Sequence, residues 1–356
     1  MVPVSGERVH RISHAVDVAA PAGVVYALVA DPVRWPLYFP ANVHVEQLDY
    51  DGTQERLRMW VLADGQVRSW ISSRVQDAAR RTVTYRQDLL MEPAASMGGT
   101  WTITEDGPQR CRLRLEHAFS AVGDRPESVA WLTRATSANA RADLDSLRTV
   151  AQRFGRLDAL TLSFEESLRV NGPPELLYSF LYDVLNWSTR LPHVAGVEVD
   201  EPRAGIQNVT LQVHRPPTPA TTAPAALAPA AAVRTVRSVR VCFPHAQRIV
   251  FKELDPGGLL AAHRGEWSVL PDPGGVTVSA QHHVVLREDA LPPAAGPAHL
   301  RSTDAPRSTR AARREHEALT QVRRQVRQEL GRDSRSVLQA ARAHAESAVR
   351  AHALPR

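Results

Sequence analysis

The chain has 356 residues, 43% of them hydrophobic and 23% charged, with a net charge of +5. That profile fits one or two ordinary globular domains and excludes a disordered polyelectrolyte. With no opening leader-like apolar run and no unbroken apolar stretch of spanning length, neither secretion nor a membrane is expected. Two cysteines, Cys111 and Cys242, are too few for a disulfide framework or a thiolate metal site and suit a reducing cytoplasm. The basic surplus lies at the C-terminal end, where residues 301–356 hold 13 Arg against 6 Asp/Glu. Such a stretch is a solvated helix face or a surface for an acidic partner. Nucleic acid is not expected, because no binding motif and no basic patch with interleaved aromatics accompanies it.

In chain order, His14 to Val18 alternates as a short strand that ends at Pro21. Val24, Val25, Leu28 and Val29 follow at helical spacing, broken at Asp31-Pro32, and a second short helical segment runs through Trp35. From Val43 the period becomes two, in runs around 43–48, 57–61, 67–75, 82–86, 100–104 and 111–119 separated by Gly, Asp and Pro. Gly98-Gly99 is expected as a turn flanking one of these strands rather than a phosphate loop, since no helical pattern follows it. A long helix over about 127–154 closes the unit, with Leu144, Leu147, Ala151 and Phe154 on one stripe.

The whole pattern then recurs. Pro21, Tyr26, Asp31, Trp35 and Pro40 reappear 152 residues later as Pro173, Tyr178, Asp183, Trp187 and Pro192. Arg68, Ser72, Arg74, Trp101 and His117 reappear at an offset of 166 as Arg234, Ser238, Arg240, Trp267 and His283. The change of offset falls on a Pro/Ala-rich loop at 215–232, and Leu319, Val322, Val326 and Leu330 give the second closing helix its stripe. A unit of about 150 residues exceeds any solenoid repeat, so two α+β domains are expected, at 1–157 and 158–356.

On the strand around residue 70 the side chains of Arg68, Trp70, Ser72 and Arg74 share one face. A guanidinium, an indole and a hydroxyl in a row fit either a solvent-exposed face or one that meets a polar ligand. In the strand ending at Phe119, His117 falls in the apolar phase and points inward, as a hydrogen-bonded core residue or as a pocket acid/base. His282 and His283 are adjacent, and their phase is open. No metal-ligand cluster, nucleophile elbow or nucleotide-binding fingerprint occurs, so neither metal nor cofactor is expected.

The W-x-S-x-R string Trp70-Ile71-Ser72-Ser73-Arg74, with the upstream D-x-x-x-W-P segment from Asp31 to Pro36, resembles the tetracenomycin-type aromatase/cyclases of bacterial type II polyketide synthases. The duplication resembles their didomain subclass. The element order is similar to the helix-grip fold of START domains, a curved antiparallel sheet wrapped around a long C-terminal helix with an interior cavity. The resemblance implies a pocket lined by Trp35, Trp70, Ser72 and Arg74, with Tyr38, Asn42, Arg68 and Trp101 alongside. Asn42 stands where single-domain members carry a tyrosine.

On this reading Arg74 stabilises an enolate or aldol oxygen, and Ser72 and His117 move protons. Trp187, Arg234, Ser238, Arg240, Trp267 and His283 form a second pocket. The implied reaction is first-ring closure (C7–C12) and dehydrative aromatisation of a poly-β-ketone on an acyl carrier protein, in company with other synthase components. Two alternatives are a START-like protein that binds or transfers a hydrophobic ligand unchanged, and a scaffold for other enzymes.

Overall fold

The computed structural model describes residues 8–63, 65–88, 90, 92–214, 233–289 and 309–353. The Pro/Ala-rich loop at 215–232 lies outside the described residues. The chain divides into two compact units, Met1–Asp158 and Ala159–Arg356.

Unit 1 opens with β1 (His10–Val18), in which His14, Val16 and Val18 turn inward and Ser13, Ala15 and Asp17 outward. Helix α1 (Ala22–Ala30) buries Ala22, Val25, Leu28 and Val29 and stops at Asp31, where the following proline disfavours helical geometry. After one 3-10 turn, α2 (Trp35–Tyr38) leads into six antiparallel strands: β2 (Asn42–Tyr50), β3 (Gln54–Ala63), β4 (Gln66–Asp77), β5 (Thr82–Gln87), β6 (Ala94–Glu105) and β7 (Cys111–Ala121). The sheet order β1-β7-β6-β5-β4-β3-β2 makes these strands a meander, with β1 returning antiparallel to β7. Helix α3 (Pro126–Gln152) lies on β1, β7 and α1 and buries Leu132, Thr136, Ala140, Leu144, Leu147 and Ala151 against them.

Two expectations fail in unit 1. Phe154 does not continue the α3 stripe; the helix ends at Arg153 and Phe154, the first residue of α4 (Phe154–Leu160), is 44% exposed. Gly98-Gly99 is not a turn but lies inside β6. A Cβ on Gly99 would stand 2.2 Å from the Glu116 carbonyl oxygen and 2.8 Å from the Tyr85 hydroxyl. Glycine is there because the Tyr85 ring lies across that backbone, not because the chain turns.

Unit 2 repeats the plan with β8 (Thr161–Val170), α5 (Pro174–Tyr182), α6 (Trp187–Arg190), β9 (Val194–Arg203), β10 (Ile206–His214), β11 (Val233–Phe243), β12 (Arg248–Glu253), β13 (Leu260–Asp272), β14 (Gly275–Leu286) and α7 (Thr309–Ala353). Its sheet order, β8-β14-β13-β12-β11-β10-β9, is that of unit 1. Helix α7 is 45 residues long against 27 for α3. Val337, Leu338, Ala341 and Ala345 pack in the main core, and Val322 and Val326 in a second cluster with Leu162, Phe164 and Leu286. Fully burying side chains such as Phe119 and Phe180 stabilises each unit by about 2–3 kcal/mol apiece. Each unit is thus α+β, a curved antiparallel sheet with its long helix against the concave face.

Candidate functional site

In unit 1 the inward phase brings Glu55, Arg74, Tyr85, Gly99, His117 and Ile12 into one cross-strand row. Arg74 and His117 are therefore three strand spacings apart, about 14 Å. The sequence-predicted catalytic set does not converge on one point.

Arg74 is buried and committed. Its Nη1 lies 3.0 Å from Glu55 Oε1, its Nη2 donates to the Val29 carbonyl at 2.7 Å, and its guanidinium sits 4.8 Å over the Trp35 ring. Burial pulls its pKa down to about 10, the Glu55 carboxylate opposing that fall, so it stays a cation at neutral pH. Trp35 donates its indole N–H to the Leu28 carbonyl at 3.1 Å. Together Arg74 and Trp35 tie the end of α1 to the sheet. Ser72 is buried and donates to the Arg86 carbonyl at 3.2 Å. Trp70 and Arg68 are half-buried, Trp70 against the core. Trp101 is a core residue between Val83 and Leu115. Asn42 and Tyr38 are buried at the start of the meander, Tyr38 beside Arg34.

The other end of the row carries unpartnered imidazoles. His117 faces inward with its Nδ1 lacking any hydrogen-bond partner, and His14, on the neighbouring strand and the same face, has an unpartnered Nε2. Desolvation, with a smaller contribution from His14, lowers the His117 pKa to about 4, so the imidazole is neutral at pH 7. The Tyr85 ring meets His117 edge-on at 6.0 Å between centroids. Across from them, Asp143 lies on the inward stripe of α3 between Ala140 and Leu147. Desolvation raises its pKa to about 7, and its charge adds to the burial that raises the Tyr85 phenol. Tyr85, His117 and Asp143 all keep some accessible surface although protein surrounds them, as groups lining an interior space do. A neutral imidazole and a carboxyl that holds its proton near neutrality are environments pushed apart into a base and an acid.

Tyr85, Asp143 and His14 were missed in the sequence. Their phases were readable, but only the tertiary structure shows that Tyr85 and His14 meet His117 and that Asp143 faces Tyr85. A cavity of about 540 Å3 also lies at Gly98-Gly99. Most of its lining is outward-facing, including Arg11, Ser13, Arg86 and Glu116, and no helix residue contributes, so it opens on the sheet's outer side, with Tyr85, Gly99 and His117 of the inward row at its floor.

Unit 2 repeats the anchor and changes the rest. Trp187 donates to the Phe180 carbonyl at 3.1 Å, and Arg240 donates to the Leu181 carbonyl and, at 2.9 Å, to Gln207 Oε1. Each is the counterpart of the unit 1 contact, with Gln207 in the place of Glu55. Trp267 packs edge-on against Trp187, and Ser238 is buried.

His283, however, is not the counterpart of His117. Gly265 pairs with His282 as Gly99 pairs with His117. The hairpin from Gly265 to His282 is one residue shorter than that from Gly99 to His117, and a one-residue slip exchanges the faces of a strand. His283 points outward and its Nδ1 meets the Ser163 hydroxyl at 2.8 Å, while His282 takes the inward place. Among the described residues no group of three or more His, Cys, Asp or Glu could hold a metal, and no helix is long and apolar enough to cross a membrane.

Residues 9–152 match the family model described as polyketide cyclase / dehydrase and lipid transport. The granaticin polyketide synthase bifunctional cyclase/dehydratase of Streptomyces violaceoruber is 31% identical over 296 residues, which cover 83% of this chain and 87% of that protein. The actinorhodin polyketide synthase bifunctional cyclase/dehydratase of Streptomyces coelicolor is 35% identical over 282 residues, covering 78% of this chain and 84% of the relative. Among solved structures, the di-domain ARO/CYC BexL from the BE-7585A biosynthetic pathway superposes with a TM-score of 0.76 at 33% identity, covering 95% of this chain and 99% of its own. The di-domain ARO/CYC StfQ from the steffimycin pathway gives 0.73 at 27% identity with the same coverage.

Proposed function

This chain belongs to the two-domain cyclase/dehydratase family of aromatic polyketide synthases, and from that premise we propose that unit 1 closes and dehydrates the first ring, C7–C12, of a poly-β-ketone borne by an acyl carrier protein. The observation that carries the reading is the Tyr85 phenol between sheet and α3, which meets a neutral inward imidazole, His117, edge-on and feels the charge of a carboxyl held near neutral pKa, Asp143. A passive carrier of hydrophobic ligands has no use for an acid and a base kept apart in this way.

In the proposed mechanism His117 takes a proton from a methylene between two carbonyls. The resulting enolate carbon attacks a carbonyl further along the chain, and protonated Asp143, with Tyr85, supplies the proton to the alkoxide that forms. Reversal of the roles removes a second α-proton while the hydroxyl leaves as water. Each positioned proton transfer is worth about 10²–10⁴ in rate, and none of these steps needs a redox or metal partner. Trp70 walls the ring-forming segment, and Ser72 and Arg74 hold that wall and α1 in register. The arginine-rich sequence of residues 301–356 suits an acidic carrier protein, with an association that added salt weakens.

The test is reconstitution with a minimal polyketide synthase and its carrier protein, comparing products with the wild-type chain, H117N and D143N. The expected result is one aromatised product with wild type and a spread of spontaneous cyclisation products with either variant. A product profile for H117N and D143N that matches wild type would overturn the assignment.

A further inference from the structure

Unit 2 contains four buried polar side chains joined end to end. Glu253 Oε2 meets His263 Nδ1 at 2.8 Å, His263 Nε2 meets His282 Nδ1 at 3.0 Å, and His282 Nε2 meets the Ser334 hydroxyl at 2.7 Å. All four residues are at most 5% exposed. They come from β12, β13, β14 and α7, so the chain runs from the sheet across the interior to the long helix. Arg234 bonds the second oxygen of Glu253 and is 39% exposed, which brings the outer end of the chain to the surface. In unit 1 the register puts Gln87, Met97 and His117 in the three strand positions. There is no equivalent chain in the first copy.

The hydrogen-bond directions are fixed once Glu253 is a carboxylate. It accepts from His263 Nδ1–H, which leaves His263 Nε2 to accept from His282 Nδ1–H, which leaves His282 Nε2 to accept from Ser334. Both imidazoles are then neutral with the same tautomer, and the Ser334 oxygen keeps its lone pairs for another partner. Phe164 stacks on His282 at 4.9 Å, and Phe251 stands edge-on to His263 at 5.4 Å, excluding water from the pair. A network serving only to fill the core would be replaceable by apolar groups, as unit 1 does with Met97. Retaining a carboxylate, two imidazoles and a hydroxyl in one line has a use in moving a proton.

We propose that this Glu253–His263–His282–Ser334 line is a second acid–base site, which dehydrates a β-hydroxy ketone inside unit 2. The proposal rests on the cyclase/dehydratase reading above and assigns one of its eliminations to the second unit. In the step, the α C–H bond breaks and its proton goes to Ser334 Oγ as the Ser334 proton passes to His282 Nε2. The His282 Nδ1 proton passes to His263 Nε2, leaving an imidazolium held by Glu253. The electron pair of the C–H bond forms the C=C bond, and the β C–O bond breaks. The departing hydroxide takes a proton back along the same line, so water is released and every residue returns to its starting form. Ser334 and His282 are the catalytic residues on this assignment, while Glu253 and His263 act through them as positioning residues.

The probe is the aldol of acetone and benzaldehyde, a small aromatic β-hydroxy ketone whose dehydration to benzalacetone is followed by near-ultraviolet absorbance, with the full chain and without carrier protein. Expected is catalysed dehydration that falls about a hundredfold in S334A, a substitution small enough to keep α7, and similarly in E253Q. The titratable groups facing the imidazole pair are Glu253, itself bonded by Arg234, and the outward neighbour His283. Of these, only Glu253 contacts the pair as an anion, so E253Q destabilises its protonated form and moves the acid limb of the rate to lower pH. A merely structural Glu253 would lower the melting temperature and leave that limb in place.

Absence of turnover by the wild type, or S334A and E253Q turning over at the wild-type rate, would overturn the proposal. So would loss of turnover in H117N with E253Q unaffected, which assigns the elimination to unit 1. Relay-dependent turnover of the probe alongside failed polyketide cyclisation would sink the cyclase reading alone, and the reverse outcome would sink this one alone.

Discussion

Removing Glu55 tests whether the Arg74 site is an anchor or a reaction centre. The Glu55 and Arg74 side chains are 0% and 2% exposed, and the pair is surrounded by the Val29 carbonyl, the Trp35 ring and the amides of Gln47 and Gln76. In E55A the guanidinium loses the carboxylate it is paired with in a dry site, a loss that costs about 3–5 kcal/mol. For a unit of this size that lowers the melting temperature of unit 1 by roughly 10 °C. In E55Q the cost is smaller, because unit 2 already contains that arrangement: Gln207 Oε1 accepts from Arg240 at 2.9 Å. Exchanging a charged acceptor for a neutral one there costs about 1–2 kcal/mol. Thermal unfolding of the full chain followed by circular dichroism measures both, and product analysis below the transition measures activity. The expected pattern is E55A much less stable, E55Q slightly so, and both cyclising while folded. An E55A chain that melts like wild type would refute the anchoring account. A folded E55Q chain that has lost cyclisation would place Arg74 and Glu55 in the chemistry instead.

Two further outcomes follow from unit 1. Asp143 is raised from 3.8 to about 7, so its contribution to stability is complete below 3.8 and is lost as pH rises through about 7. His117, lowered from 6.5 to about 4, contributes stability that is complete above 6.5 and is lost as pH falls through about 4. D143N should therefore raise the melting temperature at pH 8, lower the cyclisation rate about a hundredfold and abolish the decline in rate through pH 7; a D143N chain keeping that decline would assign the limb to another group. G99A places a methyl 2.2 Å from a backbone carbonyl and 2.8 Å from the Tyr85 hydroxyl. It should cost about 1–3 kcal/mol and displace Tyr85, seen as a lower melting temperature with a loss of cyclisation, and a G99A protein melting with the wild type would contradict the packing of that ring.

Much of the fold was legible in the residue pattern. The change from helical spacing to period two at Val43, the stripe at Leu144, Leu147 and Ala151, and the repeat at offset 152 each report local geometry, which the chain carries along its own length. Local phase also put Trp70, Ser72 and Arg74 on one face and turned His117 inward. Phase does not say how far apart two inward residues lie across a sheet, so Arg74 and His117 looked like members of one site when two strands separate them. Nor does it fix a register that depends on turn length, and the shorter turn before β14 exchanged His283 for His282.

The recurrence of residues between the copies has a counterpart in the anchoring of each unit. Trp35 and Trp187, and Arg74 and Arg240, recur because each pair ties its first helix to its sheet through the same carbonyls. On the proposed assignments the chemistry lies where the copies differ, in Asp143 and Tyr85 of one and in Glu253, His263 and Ser334 of the other. Sequence by itself determined the elements, their order and their duplication, because periodicity and turn chemistry are local. Only the tertiary structure decided which inward groups meet, because a helix and strands distant in the chain must close on one interior before an acid can face a base.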